Sequence, residues 1–288
     1  MTTSDNVNSF ETKKVLEHWT RKPIGRLLSN KEYGTREFFE EYDDVREKVI
    51  KEHSLPEPLL RRSYFQTDKA KVLDIGCGNG YSIAALSERA AFALGLDISP
   101  TALQASRRRR KYWNYDYELI RGDARYLPIA DSRFDFVFSS GVLHHSPDIR
   151  KSIAEIRRVS RRGSRIVLML YHRRSALVFA FRLLRFLKLA RMTFAEFSDG
   201  AGNVRSDTFT TNEVSDMLQK AGFGSVDFSL EFQPIILDLF ILRYAAEHSQ
   251  NRFRFLLKVL ACALSKVRKG SLLAPRFFGF YMYVFARP

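Results

Sequence analysis

Asp74, Asp97 and Asp123 stand at or just past the ends of short apolar runs, and two residues after the first comes Gly76-Cys77-Gly78-Asn79-Gly80. Glycines let a backbone turn tightly and come close to a ligand, and a helix starting after them offers unpaired N–H groups. An acid at the end of the next strand, here Asp97, sits where ribose hydroxyls need an acceptor. Asp123 follows the third run, at a place where a carboxylate could accept from an adenine amino group while the Ala124 N–H serves a ring nitrogen. Together they suit a nucleoside laid along the carboxyl edge of a sheet. The glycine spacing is GxGxG, not the GxGxxG of dinucleotide sites, so a dehydrogenase is the weaker reading.

Further groups with usable chemistry follow the later runs. His144 and His145 come after the fourth, and His172 follows the fifth in Tyr171-His172-Arg173. An imidazole titrates near neutral pH, so each is a candidate general base, with loop bracing or pocket lining as the structural alternative. His18 and His53 have no such context. Cys77 and Cys262 are the two cysteines, and with one inside the glycine turn they define neither a disulfide framework nor a thiolate metal site. No metal is expected. Trp19, Tyr33, Phe38 and Phe39 form either a lid over the ligand or an ordinary packed face, and Arg107 to Lys111 reads as the solvated end of a crossover helix.

The elements that must position these groups follow from a change of period near residue 70. Lys71–Ile75, Ala91–Asp97, Tyr117–Ile120, Phe134–Ser139 and Ser164–Tyr171 are too short for helices and too apolar for half-exposed strands. They alternate with helical stretches at Tyr81–Ala90, Pro100–Tyr112 and Asp148–Val159. That alternation predicts an α/β fold with a mainly parallel sheet and helices on both faces. Before it, Thr35–Lys51 has a Thr cap, an acidic first turn and Phe38, Tyr42, Val45 and Val49 at helical spacing; Pro56 and Pro58 close that segment. After it, Arg173–Arg191 places Phe179, Leu183, Phe186 and Leu187 on one arc of a helix. A helix at Thr211–Ala221 ended by Gly222, a strand over 223–232 and a last strand over 280–286 complete the pattern. Pro234–Pro275 reads as two apolar, basic helices inserted between those strands. The layout is therefore a helical segment or lid over 1–68, then one domain over 69–288 with helical caps at 173–192 and 234–275.

A chain of 288 residues with 45% hydrophobic content can bury a sizeable core. The net charge of +15 favours anionic partners: nucleic acid, a membrane surface or an acidic substrate. Between Tyr171 and Met192 the basic residues Arg173, Arg174, Arg182, Arg185, Lys188 and Arg191 meet no acid. The start lacks a basic and apolar leader, and no apolar run approaches the roughly 18 residues of a membrane span, so a cytoplasmic protein is expected.

The stretches DIGCGNG (Asp74–Gly80), GLDIS (Gly95–Ser99), GDARYLP (Gly122–Pro128) and FDFVFSSGVLHH (Phe134–His145) resemble class I S-adenosylmethionine-dependent methyltransferases of the quinone-biosynthesis-like branch. The resemblance is firm over residues 70 to 172 and weaker at SDGAGN (Ser198–Asn203) and the terminal FGFYMYVFARP. It implies a Rossmann-like, seven-stranded sheet whose C-terminal strand is antiparallel. It also implies S-adenosyl-L-methionine as cofactor, with Gly76 and Gly78 facing the methionine part, Asp97 the ribose, and Asp123 with Ala124 the adenine. Asp74, Cys77, Ile98 and Ser139 belong to the same cofactor-contacting set. Where the family has a proline-and-glycine turn before the fifth strand, this chain has Arg161-Arg162-Gly163-Ser164.

The leading reading is methyl transfer to a small, lipophilic or aromatic acceptor enclosed by the two caps, with Phe179, Phe186, Phe253 and Phe255 turned inward around it. Methylation of RNA is the alternative that the charge favours, although no RNA-binding module is appended. A non-catalytic binding protein is the third, against which the intact glycines and acids stand. The basic, apolar caps also suit peripheral attachment to an anionic membrane.

Overall fold

The computed structural model describes residues 3–53, 69–186, 193–194, 205–231 and 281–288. The expected insertion at Pro234–Pro275, the SDGAGN stretch, Leu187 and the rings of Phe253 and Phe255 lie outside the described residues.

The N-terminal part holds helices α1 (Thr3–Arg21) and α2 (Arg36–His53). The first was not legible in the sequence. Then β1 (Lys71–Ile75), α3 (Tyr81–Ser87), β2 (Phe92–Asp97), α4 (Pro100–Trp113), β3 (Glu118–Arg121), β4 (Phe134–Ser140), α5 (Ile149–Val159) and β5 (Ser160–Tyr171) follow in the expected alternation. Beyond β5 come α6 (Ala176–Phe186), α7 (Thr211–Lys220), β6 (Ser225–Glu231) and β7 (Tyr281–Arg287).

The strands make one seven-stranded sheet in the order β3-β2-β1-β4-β5-β7-β6. Pairings from β3 through β5 are parallel, and β7 runs antiparallel to both β5 and β6. Because β1 lies between β2 and β4, the strand order reverses beside it, and the glycine turn after β1 falls at the switch point of the sheet.

Local sequence explains the helices that flank this edge. Ser99 caps α4 by accepting from Ala102 N–H, with Pro100 preset for the first turn, and Asn114 ends the helix in the left-handed conformation at φ 52°. Asp148 caps α5, whose Ile149, Ile153, Ile156 and Val159 recur at helical spacing and are buried. Thr210 and Glu213 form a reciprocal capping box at the start of α7. The α5 residues join Val214, Met217 and Leu218 of α7 against one sheet face. Ile83, Ala84 and Leu86 of α3 and Leu103 of α4 cover the other. Each such aliphatic side chain removed from water contributes roughly 1.5 to 3 kcal/mol, which makes these two layers the main source of cohesion.

The atypical turn at Arg161–Ser164 is absorbed into β5. Its partner register on β4 jumps from Ser160 opposite Phe134 to Arg165 opposite Phe136. Gly163 takes φ 78° there, and a Cβ on it would meet nothing within 4 Å, so the requirement is conformational, not steric.

Candidate active site

The glycine turn is built by close approach. A Cβ on Gly76 would stand 2.2 Å from Val142 Cγ2, and one on Gly78 would stand 2.7 Å from Ile24 Cγ2, with both glycines at positive φ. Side chains there would collide with the loop after β4 on one side and with the N-terminal segment on the other. Gly76 N–H donates to the Leu96 carbonyl at 2.6 Å and Cys77 N–H to the same oxygen at 3.0 Å, tying the turn to β2.

Asp97 completes that tie. Its carboxylate accepts from Gly78 N–H at 2.9 Å and from Ser99 N–H at 2.8 Å, bracing the turn and the start of α4 with one side chain. Burial pushes its pKa up, and the N–H donors of Ser99, Gly78 and Ile98 offset part of that. Asp74 is 1% exposed, and its Oδ2 has no hydrogen-bond partner among the described residues. Burial, with the charge of Asp97 nearby, pushes its pKa up to about 8. An unsatisfied buried carboxyl beside a cradle that excludes side chains is the environment that a ligand with cationic and hydroxyl groups satisfies, so the residues present fit S-adenosylmethionine.

Other members of the expected set are less free. Cys77 is buried with its sulfur toward Gly95, where a Cβ would meet it at 2.9 Å, so its side chain is part of the core; burial also pushes its thiol pKa up. Ser139 donates to the Ile75 carbonyl at 2.9 Å and serves the sheet. Asp123 sits at the end of β3, but both its oxygens accept from the Arg125 guanidinium, the shortest contact being 2.7 Å. Arg125 also reaches Thr12 on α1. Ile98 and Ala124 lie in the turns after β2 and β3, partly exposed.

The histidines gather at the ends of β4 and β5. His144 is fully buried, its ring stacked on Tyr171 with centroids 3.8 Å apart. Neither of its ring nitrogens has a hydrogen-bond partner among the described residues. Burial, with His145 beside it, holds its pKa well below the usual imidazole value. His145 lies 2.7 Å through Nδ1 from the Arg205 carbonyl, which can only accept. Nδ1 therefore carries the proton, and in the neutral ring Nε2 keeps the lone pair. Trp19 of α1 packs its edge on His145, centroids 5.1 Å apart. His172 is buried and bridges to Phe209 through the backbone.

Residues 205–209 run alongside, through bonds from Asp207 N–H to the His144 carbonyl at 2.9 Å and from Phe209 N–H to the Tyr171 carbonyl at 2.9 Å. They help to line a cleft of about 460 Å³ walled by Val178, Phe181, Phe194 and Phe209, with Arg173 and Arg205 among its polar lining. Arg173 is held by Glu213 at 2.7 Å and by the Thr208 carbonyl, and Arg205 by Asp207 at 2.7 Å. No motif in the sequence pointed to this strip.

The N-terminal residues divide. The Trp19 carbonyl accepts from Ser99 Oγ at 3.0 Å, and Glu11 approaches Arg205 at 3.7 Å, so α1 crosses the edge that carries the histidines. Tyr33 feels the charges of Tyr42 and Asp97, and burial pushes its phenol pKa well up. Phe38 and Phe39 instead pack with Tyr42 against Ala105 on α4.

Two expectations fail. Arg109 is not part of a solvated helix end: it is 2% exposed, makes a two-pronged pair with Asp43 of α2 at 2.7 and 2.8 Å, and donates to the Asn79 carbonyl of the glycine turn at 3.0 Å. The run of like charges hid a single inward position. On α6 the arc of Phe179, Leu183 and Phe186 faces outward, with Phe179 70% and Phe186 83% exposed. The cleft is lined from the other side of that helix, by Val178 and Phe181.

Residues 73–168 match the family described as "Methyltransferase domain". The chain is 29% identical over 175 residues to a demethylmenaquinone methyltransferase of Tropheryma whipplei, covering 58% of this chain and 72% of that protein. It is 32% identical over 127 residues to a malonyl-[acyl-carrier protein] O-methyltransferase of Xylella fastidiosa, covering 43% of each. The crystal structure of the [4+2]-cyclase SpnF superposes with a TM-score of 0.53 at 18% identity, covering 99% of this chain and 97% of that one, a likeness of fold.

Proposed function

We propose that this chain, an S-adenosylmethionine-dependent methyltransferase whose residues 73–168 match the methyltransferase domain, methylates a small, lipophilic acceptor lying in the cleft between α6 and residues 205–209. The observation that carries this reading is the position of that cleft: its lining shares Arg205 and Phe209 with the strip bonded to His144, His145 and Tyr171. The names of the relatives, one acting on demethylmenaquinone and one on malonyl-[acyl-carrier protein], are consistent with a small acceptor group.

In this reading the cofactor supplies an electrophilic methyl group on a sulfonium. Gly76 and Gly78 admit its methionine part, and Asp74 gives its cationic portion a buried carboxyl partner. Asp97, oriented by the Gly78 and Ser99 N–H donors, has lone pairs left for the ribose hydroxyls. Asp123, steadied by Arg125, and the Ala124 N–H take the adenine. Cys77, Ile98 and Ser139 shape the turn and strand behind it. His145 is the favoured base, since its proton sits on Nδ1 and Nε2 is left to accept; His144 and His172 wall the site. Methyl transfer is an in-line displacement, so positioning and exclusion of water by the N-terminal helices complete the chemistry.

The test is transfer of label from methyl-tritiated S-adenosylmethionine to a solvent extract of cells and to total RNA. Label in the organic fraction, reduced about a hundredfold or more by His145→Ala with cofactor affinity retained, is the expected result. Label in RNA alone would replace this acceptor class. A silent organic fraction despite cofactor binding would remove it.

A further inference from the structure

We propose that the outer face of α6 is a docking surface for an anionic lipid bilayer. Phe179, Leu183 and Phe186 recur at the spacing that stacks side chains on one helix face, and all three are exposed, Phe186 at 83%. Large apolar side chains aligned in this way on a surface are uncommon unless something covers them. The inner face of the same helix is already used: Val178 is 3% exposed and Phe181 9%, and both line the cleft.

Charge selects the occupant. Arg182, which also lines the cleft, and Arg185 are exposed within α6, Arg173 and Arg174 precede it, and Lys188 and Arg191 follow in sequence with no acid between Tyr171 and Met192. Aromatic and aliphatic side chains beside guanidinium groups on an exposed helix are the composition that lies in the headgroup boundary of a bilayer, rings inserted and cations at the phosphates. No helix among the described residues is long and apolar enough to cross a membrane, so the contact is interfacial. RNA fits the face less well. Base stacking uses separate aromatic platforms, and the leucine in the middle of this row offers no π-face. The proposal does not depend on the acceptor, since it concerns a surface and is read by binding.

The experiment is sedimentation of the full chain with vesicles of phosphatidylcholine alone and of phosphatidylcholine with phosphatidylglycerol. Capture by the anionic vesicles only, weakened by salt, is expected. The double variant Phe179→Ser/Phe186→Ser should lose about tenfold or more of that binding with S-adenosylmethionine affinity and melting temperature unchanged. Arg182→Glu, a change at an exposed position, should weaken capture without loss of fold, which covers the case in which the serine variant does not fold. Equal binding to both vesicle types, no binding, or undiminished binding by the variants would overturn the proposal. So would tRNA binding that displaces the vesicles and is lost in the same variants. A large fall in melting temperature of the serine variant with capture by Arg182→Glu intact would show that the row is covered by the chain itself, which also overturns it.

Discussion

At the scale of single residues, Asp74 is the sharpest case of a group whose environment decides its chemistry. Its carboxyl is buried, one oxygen lacks a partner among the described residues, and burial with the neighbouring Asp97 raises its pKa to about 8. A carboxyl whose pKa is raised on folding binds its proton more tightly in the native state. The stability this contributes is whole below the unfolded value near 4, declines as pH rises above it, and is lost once pH passes about 8. Asp74→Asn cannot ionise, so the free variant should match the wild type in melting temperature near pH 4 and exceed it at pH 9. A wild type whose melting temperature does not fall relative to the variant across that interval would show the carboxyl to be solvated. Cofactor should narrow the difference in the wild type, because a cationic ligand favours the ionised carboxylate. The position of Asp74, Asp97 and Asp123 was legible, because strand-end acids need only an alternation of apolar runs to be placed. Their partners were not: nothing in sequence spacing says that Asp97 is bonded to Gly78 and Ser99, or Asp123 to Arg125.

At the scale of elements, α4 links the N-terminal segment to the glycine turn. Arg109 projects from it between Phe39, Tyr81 and Trp113, pairs with Asp43 of α2 and bonds the Asn79 carbonyl. Removing one partner of a buried pair leaves the other charge uncompensated, so Asp43→Ala, which strands the buried Arg109, should destabilise the fold by roughly 3 kcal/mol, and Arg109→Ala, which leaves only the more exposed Asp43 unpaired, should lose less through charge. Denaturant melts of both single variants and the double variant should give a coupling energy of about 1 kcal/mol or more, and additive losses would mean that the pair is not a unit. Because Asn79 belongs to the turn, Arg109→Ala should also weaken S-adenosylmethionine binding more than Asp43→Ala does. Helical periodicity gave the existence of α4 but not this contact, since five basic residues in succession look alike until tertiary packing turns one inward. The same blindness applied to α6, where the apolar arc was correctly grouped and its direction was not. Periodicity identifies a face; only the neighbouring elements decide whether it looks in or out.

At the scale of the whole molecule, the sheet brings the carboxyl ends of β1, β2 and β3 to one side of the switch point and those of β4 and β5 to the other. Nucleoside-type acids and histidines therefore meet across the glycine turn. That acids and histidines share one edge was readable from strand alternation; the strand order that sets them on opposite sides of the switch point was not. The way α1 and the strip 205–209 close over it was not, because α1 begins polar and lacks a clear apolar arc, and the strip makes its contacts through backbone bonds. These ties run from α1 to Ser99, Arg125 and Arg205 and so reach the ends of β2, β3 and the cleft. The central claim is that this edge is a working cofactor site organised by Asp97. Titration calorimetry of S-adenosylmethionine into the full chain tests it most directly. The prediction is single-site binding by the wild type and a loss of roughly 1.5 to 3 kcal/mol for Asp97→Ala, the worth of charge-assisted hydrogen bonds. Equal affinity in a folded Asp97→Ala variant, or no binding heat with the wild type, would contradict it.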